Sequence, residues 1–265
     1  MGDQESSVRY DVSEAGVATL TLDRPEKRNA MMPLDWSGLE NGLDRAARDD
    51  TVRVVVVTGA GDTFCSGGDL KTMGDRLAQS SVQRSTELHR LVRVTQRFRE
   101  TLKPVLAAVN GPAIGAGCVI ALACDLRLAA QSATFSVPFL RIGMQPDFGG
   151  AYFLPRLLGT AKTFDLLWMQ ESLSAEEAAK LGVVSRVFPN NEFADRVRAY
   201  AERVARNPPG ALAMSKLTVY HGAEQTLRDL LDLEALAQAV LSKSDDAREG
   251  VQAFVEKRRP VFRGG

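Results

Sequence analysis

A cysteine, a serine, two glycines and an aspartate stand together at residues 65 to 69, CSGGD, after an apolar run and a short polar turn. The side chains of Cys65 and Ser66 are candidate nucleophiles, because thiols and hydroxyls attack carbonyl carbons when a neighbouring base activates them. The glycines Gly67 and Gly68 offer a different chemistry, since a backbone without Cβ approaches a ligand closely with its N–H groups exposed. The segment therefore predicts either a nucleophile or a site in which backbone N–H groups bind an oxygen atom of a ligand.

The nucleophile hypothesis needs a base, and the chain offers few candidates. Its two histidines, His89 and His221, lie in helical patterns, and the chain has neither a G-x-S-x-G elbow nor the G-K-[S/T] ending of a phosphate-binding loop. Cys65, Cys118 and Cys124 lie in apolar or glycine-rich stretches without C-x-x-C spacing. This argues against a disulfide framework and against a zinc site. We therefore expect backbone amides, and no bound metal, to carry the chemistry.

A second donor site is predicted at residues 110 to 125, NGPAIGAGCVIALACD. Small residues from Ala113 to Gly117 lead from a strand end into an apolar helix. The first turn of a helix has N–H groups without intrahelical partners, at the positive end of the helix dipole. Taken alone, such glycines more often serve close packing of the backbone. The two segments together favour a pair of amide donors.

Alternating strands and helices must position these segments, which predicts an α/β protein. Runs rich in β-branched residues indicate strands at residues 17–22, 52–58, 105–109 and 126–129. Apolar residues at helical spacing over 82–101 predict one amphipathic helix whose arginines face solvent.

The character of the sequence changes after Pro189, where strand patterns end and helical patterns at 193–205 and 223–241 follow. We divide the chain into residues 1–195, a core that carries the site, and residues 196–265, a helical subdomain. Since no proline- or serine-rich linker separates them, we expect the subdomain to pack on the core or on a neighbouring subunit.

Charge and hydropathy restrict the partners. Lys plus Arg and Asp plus Glu number 33 each, so the chain lacks the basic surplus typical of proteins that bind nucleic acid. A polar, acidic N-terminus and the lack of eighteen consecutive apolar residues argue against a signal peptide and a membrane span. We expect a cytoplasmic protein with a small-molecule partner, and neither nucleic acid nor membrane as a partner.

Five segments in this order resemble the crotonase superfamily of enoyl-CoA hydratases and isomerases: LDRPEKRNAM, FCSGGDL, AAVNGPAIGAGCVIALACDLRLAA, FSVPFLRIGMQPDFGGAYFLPRLLG and EGVQAFVEKRRPVF. The resemblance covers nearly the whole chain. It implies the crotonase spiral of ββα units with a C-terminal helical trimerisation region, in a homotrimer or homohexamer. It also implies an acyl-CoA thioester as substrate, with no cofactor because the CoA is part of the substrate. The reaction stays open, since one fold hosts many activities.

The resemblance assigns roles to both glycine-rich segments. It implies that the backbone N–H groups of Ser66 and Ala116 form an oxyanion hole for the thioester oxygen, so that the Ser66 hydroxyl is dispensable. It also places backbone of the first segment and basic side chains near CoA, although any exposed lysine or arginine has the same appearance in a sequence. The candidate CoA-binding residues are Arg24, Lys27, Arg28, Gly67, Gly68 and Lys257.

Hydratases of this family use two glutamates, and the corresponding positions here hold Val119 and Phe139. Neither side chain can transfer a proton. Asp147 stands where several enoyl-CoA isomerases of the family carry a single acidic base, and one carboxylate can move a proton from the α carbon to the γ carbon. Apolar neighbours such as Phe139, Met144 and Phe148 would raise the pKa of this carboxyl group.

Alternatives remain at this stage. An aspartate after proline and before a helix is also a common N-cap, so Asp147 has a structural interpretation. His89 could reach the acyl pocket as a helper acid, whereas Asp69 and Asp125 are expected to be structural. The leading hypothesis is an enoyl-CoA isomerase with Asp147 as proton shuttle. The alternatives are a hydratase or hydrolase that uses Asp147 with water, and a protein that binds acyl-CoA without chemistry.

Overall fold

The computed structural model describes residues 6–264, apart from the side chains of residues 73, 75 and 76. The strands within this range are β1 Val8–Val12, β2 Val17–Leu22, β3 Val54–Gly59, β4 Val105–Val109, β5 Ala113–Ile114, β6 Leu126–Ala130, β7 Thr134–Ser136, β8 Ser172–Ser174 and β9 Arg186–Phe188. The α-helices within this range are α1 Pro33–Arg48, α2 Leu70–Leu77, α3 Ser81–Leu91, α4 Val94–Glu100, α5 Ala116–Ala123, α6 Gly150–Leu158, α7 Thr160–Met169, α8 Ala175–Lys180, α9 Phe193–Ala205, α10 Pro209–Gly222, α11 Leu227–Leu241 and α12 Asp245–Val255. Short 3-10 helices lie at Pro25–Lys27 and Phe139–Ile142.

A six-stranded sheet forms the base of the molecule. Its order is β1-β2-β3-β4-β6-β9, and all neighbours are parallel except β1 and β2. Buried apolar residues pack against both faces of the central strands. This explains why the sequence of β3 is a continuous run of valines and does not alternate between apolar and polar residues. The structure confirms the four predicted strands, with β3 displaced by two residues at its start.

Short extended segments form a second layer. After β4 the chain pairs briefly as β5 and enters α5, and after β6 it pairs as β7, which lies parallel to β5. Cys65, after β3, forms a parallel bridge to Ala113 in the same layer. The repetition of long strand, short extended segment and helix is the predicted spiral of ββα units. It brings the ends of successive turns together beside α5.

The prediction of a single helix over residues 82–101 is wrong. The chain forms α3 and α4, which are separated at Val92 and Arg93. A capping box at Ser80 starts α3, and the break turns the chain so that Val94 and Phe98 of α4 are buried against the core. Similarly, the helix predicted over 223–241 begins only at Leu227, where the Thr226 side chain accepts the first hydrogen bond.

The C-terminal part of the chain is helical from α9 onward. The predicted division at residue 195 stays a prediction, and this position lies in the first turn of α9, which packs against β2, β3 and β6. Helices α10 and α11 contact each other and contain no buried residue. Across residues 6–264, no helix is both long and apolar enough to cross a membrane.

Candidate active site

The CSGGD segment is held by the strand-like residue that precedes α1. The Met31 N–H donates to the Gly67 carbonyl oxygen at 2.8 Å, and the Asp69 N–H donates to the Met31 carbonyl oxygen at 3.0 Å. Gly67 has a φ of +93°, and a Cβ on it would lie 2.9 Å from the Ile114 carbonyl oxygen and 3.5 Å from the Ala116 nitrogen. The glycine turn therefore contacts the start of α5, as the two motifs predicted.

The predicted role of the Ser66 amide is wrong. Its N–H donates to the Arg28 carbonyl oxygen at 3.0 Å, so it is not available to a ligand. The N–H of Gly68, two residues on, has no acceptor anywhere in residues 6–264. The sequence carries no local signal that separates these two amides, because the difference arises from pairing with a segment almost forty residues away.

The second predicted donor, Ala116, is the first residue of α5. Its N–H has no acceptor within the described part of the chain, as expected for the first residue of a helix. The close-packing interpretation of the glycines is also correct, since a Cβ on Gly117 would lie 2.4 Å from the Cys65 carbonyl oxygen. The close packing and the donor role predicted for Ala116 thus depend on the same close approach of the two segments.

Asp147 lies in the loop before α6. Its Oδ1 atom is buried and has no hydrogen-bond partner among the described residues, which is unusual for a buried polar atom. Burial raises the pKa of the Asp147 carboxyl group to about 6, against a smaller lowering by its own backbone N–H and by Arg84. The helix-cap interpretation is wrong, because Gly149 is the N-cap of α6 and no side chain caps this helix.

Apolar side chains surround this loop. A Cβ on Gly150 would lie 3.2 Å from Cγ2 of Val119, which is one helical turn beyond Ala116 on α5. Val119 and Phe139, which the resemblance places at the two glutamate positions of hydratases, are both buried. The Phe148 ring is buried and stacks on Trp36 with 4.1 Å between the ring centroids. Phe139 and Phe148 are therefore buried and Met144 is half-buried, and contact of these side chains with the Asp147 carboxylate stays a prediction.

The nucleophile hypothesis finds no support in the geometry. Cys65, Cys118 and Cys124 are buried, and burial raises the pKa of the first two thiols to about 12. These thiols stay protonated near neutral pH and are poor nucleophiles. His89 is exposed on α3, where its Nδ1 lies 2.7 Å from the Ser85 carbonyl oxygen, and it lines an open cleft of about 1110 Å³. Its role as a helper acid stays a prediction.

The proposed CoA ligands separate into two groups. The prediction that Arg24 binds CoA is corrected, because its guanidinium group donates hydrogen bonds to the Ala30 carbonyl oxygen at 2.8 Å and to the Asp69 carboxylate at 3.2 Å. This ion pair is largely buried and supports the structural role predicted for Asp69. The side chains of Lys27, Arg28 and Lys257 are exposed, and the carbonyl oxygens of Lys27 and Arg28 face Ser66.

Asp125 is also structural, as predicted. Its carboxylate accepts hydrogen bonds from the Val105 N–H at 2.7 Å and from the Tyr220 hydroxyl at 2.5 Å. It also pairs with the Lys216 ammonium at 2.9 Å. These contacts connect the start of β4 with α10.

Comparison with known proteins gives one consistent result. The family described as Enoyl-CoA hydratase/isomerase matches residues 12–265. A Rhodobacter capsulatus protein named "Probable enoyl-CoA hydratase" is 42% identical over 258 residues, covering 97% of this chain and 98% of that protein. The 1,2-epoxyphenylacetyl-CoA isomerase of Escherichia coli is 37% identical over 252 residues, covering 95% and 96%. The structure of an enoyl-CoA hydratase from Mycobacterium smegmatis superposes with a TM-score of 0.91 at 33% identity, covering 97% and 99%.

A spiral of ββα units, with two amides that lack acceptors within residues 6–264 and a buried carboxylate oxygen that lacks a donor there, defines an enzyme of the crotonase fold. The chain belongs to the enoyl-CoA hydratase/isomerase family. The resemblance stated from the five sequence segments is thereby confirmed.

Proposed function

We propose that the protein is an enoyl-CoA isomerase, in which Asp147 moves one proton along an acyl-CoA while two amides hold the thioester oxygen. The observation that carries this proposal is the buried, unpartnered Oδ1 of Asp147. It lies in a chain whose two hydratase glutamate positions are filled by Val119 and Phe139. A single ionisable group suffices for isomerisation, whereas addition of water needs a second group to orient and activate the water.

The N–H groups of Gly68 and Ala116 are the proposed oxyanion donors. Both lack acceptors among residues 6–264, and both segments are in contact through Gly67. Donors that are fixed in advance stabilise the negative charge that develops on the thioester oxygen when the enolate forms. The position of Ala116 at the N-terminus of α5 adds the positive end of the helix dipole.

The proposed reaction conserves all atoms. The ionised Asp147 takes a proton from the α carbon of a 3-enoyl-CoA, and the C–H electron pair moves into a dienolate whose charge rests on the thioester oxygen. The protonated carboxyl group then delivers this proton to the γ carbon, and the double bond becomes conjugated with the thioester. The apolar surroundings of Asp147 make the carboxylate a stronger base and keep the proton from water.

Hydration is the second candidate, and the name of the Rhodobacter capsulatus relative favours it. A hydratase or hydrolase would use Asp147 with a water molecule oriented by other groups. A protein that only binds acyl-CoA would carry out no reaction with Asp147 or with water.

The experiment is to incubate the purified protein separately with 3-enoyl-CoA and 2-enoyl-CoA and to identify the products by mass spectrometry. Conversion of the first without addition of water supports isomerisation. Faster hydration of the second contradicts it, and binding without turnover or deuterium exchange at the α carbon selects the non-catalytic alternative.

The rate should depend on pH through Asp147. Because the carboxylate must be ionised to take the proton, and burial raises its pKa to about 6, kcat should increase as the pH rises through about 6 and then reach a plateau. A carboxyl group at the ordinary value of 3.8 would give the plateau two pH units lower. The measurement is a kcat profile from pH 4.5 to 8.5, with circular dichroism at each pH to show that the fold persists. A flat profile between pH 5 and 7 would argue against this base.

CoA itself is bound as part of the substrate, with no separate cofactor. We propose Lys27, Arg28 and Lys257 as contacts to its phosphates, because their side chains are exposed and cationic. We also propose a cytoplasmic location, which the three unpaired thiols support. Cell fractionation tests the location.

We further propose that copies of the chain assemble through the C-terminal helices into a homotrimer or homohexamer. These helices expose apolar side chains that a monomer would leave in water: Val219, Leu227, Leu231, Leu236, Val240, Val251, Phe254 and Val255. Light scattering coupled to gel filtration should give three or six times the chain mass of 28.8 kDa. A monomeric mass at micromolar concentration would contradict the assembly.

A further inference from the structure

Helix α1 connects the two halves of the proposed site. Met31, two residues before the helix, pairs with the glycine turn through two backbone hydrogen bonds. Trp36, in the first turns of the same helix, stacks on Phe148, the residue after Asp147. Met31 therefore holds the turn that carries the Gly68 amide, and Trp36 contacts the loop that carries Asp147. Only a short stretch of chain separates these two residues.

The start of α1 is fixed by a buried carboxylate. Asp35 has no exposed side-chain area and accepts hydrogen bonds from the Met32 N–H, the Ser7 N–H and the Ser7 hydroxyl, each at 2.8 Å. The Arg24 guanidinium group, which also binds the Asp69 carboxylate, lies 3.9 Å from Asp35. The indole of Trp36 thus projects from a helix end whose position relative to the CSGGD segment is well determined.

Phe148 adopts a backbone conformation that a phenylalanine rarely adopts. Its φ is +50°, in the left-handed region that normally holds glycine or asparagine. Such a conformation persists only where surrounding contacts impose it. The stack on Trp36 is one such contact, since both rings are buried and lie 20° from parallel. Because Phe148 follows Asp147 directly, the φ of Phe148 fixes how Asp147 is oriented relative to the buried Phe148 ring.

We propose that Trp36 is a positioning residue for Asp147: its indole holds Phe148 in the left-handed conformation and so fixes the carboxylate relative to the amides of Gly68 and Ala116. This inference rests on the proposed isomerase function. It explains why a bulky aromatic residue occupies a strained position beside the proposed base. Without the stack, the loop would relax toward an ordinary φ, and the carboxylate would turn away from the substrate carbons and toward water.

Two variants of Trp36 test the inference in the full-length protein. Trp36→Phe keeps an aromatic ring, and kcat should remain within about 3-fold of the wild-type value. Trp36→Leu removes the stack, and kcat should fall by about 10- to 100-fold with KM changed by less than about 3-fold, as expected when a reacting group is misplaced. The midpoint of the rise of kcat with pH should also move below about 6, because a carboxylate exposed to water has a lower pKa. Arg84, the cation that acts on Asp147 from α3, is unchanged in both variants.

A variant of Phe148 covers the case in which loss of Trp36 unfolds the protein. Phe148→Gly permits the positive φ but removes the ring, and it should show the same loss of kcat and the same shift of the pH midpoint while circular dichroism stays native. A wild-type kcat and midpoint in Trp36→Leu or Phe148→Gly would overturn the inference, as would a loss of kcat without the pH shift. Such a result beside an inactive Asp147→Asn variant overturns the positioning role alone and leaves the proposed function in place. If Asp147→Asn is active, the proposed function fails first.

Discussion

Replacement of Asp147 by asparagine should lower kcat for the isomerisation of a 3-enoyl-CoA by about 10³-fold, with little change in KM. Asparagine has nearly the same shape but cannot take up a proton, and general base catalysis typically contributes about 10² to 10⁴ in rate. Val119 and Phe139, which the resemblance places at the positions of the hydratase glutamates, cannot take up a proton in its place. The measurement is the appearance of the conjugated enoyl thioester by ultraviolet absorbance.

The same variant provides its own control through stability. The pKa of the Asp147 carboxyl group is raised from 3.8 to about 6, so ionisation costs the folded state more than the unfolded state, and the full cost applies above about pH 6. Asp147→Asn should therefore be more stable than the wild type at pH 7, on the order of 1 to 3 kcal/mol. The difference should shrink as the pH falls from 6 toward 4. Loss of stability together with wild-type turnover would instead indicate that the Asp147 side chain has a structural role.

Replacement of Gly67 by alanine should lower kcat/KM by about 10²- to 10³-fold, the usual cost of losing one oxyanion donor. The new Cβ would lie 2.9 Å from the Ile114 carbonyl oxygen and 3.5 Å from the Ala116 nitrogen, and the φ of +93° is unfavourable for alanine. Both effects push the glycine turn and the start of α5 apart. The two amides would then no longer converge on one oxygen atom.

Two neighbouring substitutions serve as matched controls. Gly68→Ala keeps the backbone N–H, and its Cβ meets nothing within 4 Å, so activity should remain within about tenfold of the wild type. Ser66→Ala removes a hydroxyl whose nearest acceptor, the Lys27 carbonyl oxygen, is 3.5 Å away, and activity should remain within about twofold. A loss in Ser66→Ala as large as in Gly67→Ala would return a direct role to the Ser66 side chain.

Most of the architecture was predictable because it depends on local patterns. The valine-rich strand β3 and the small-residue start of α5 carry their structure in residue types alone, through β-branched side chains and unhindered backbone. The break between α3 and α4 was not predictable, because apolar residues at helical spacing continue across it. There the burial of Val94 and Phe98 against the core decided the path of the chain.

The same division applies to the site. Through its resemblance to the family, the sequence predicted that two glycine-rich segments supply amides and that Asp147 is the acid, and both roles stay predictions. It could not distinguish the Ser66 amide from the Gly68 amide, or show that Arg24 is occupied by Asp69, because pairing between distant segments decides which groups are already bonded.

What the sequence by itself determined about this protein is therefore its family, four strands of its main sheet and the residues available for chemistry. Only the tertiary structure decided which of these groups are free to act. Within residues 6–264, the lack of partners for the Gly68 and Ala116 amides and for Oδ1 of Asp147 is a property of the packed chain. Hydrogen bonds and burial are shared among segments far apart in sequence, and a local pattern contains no record of them.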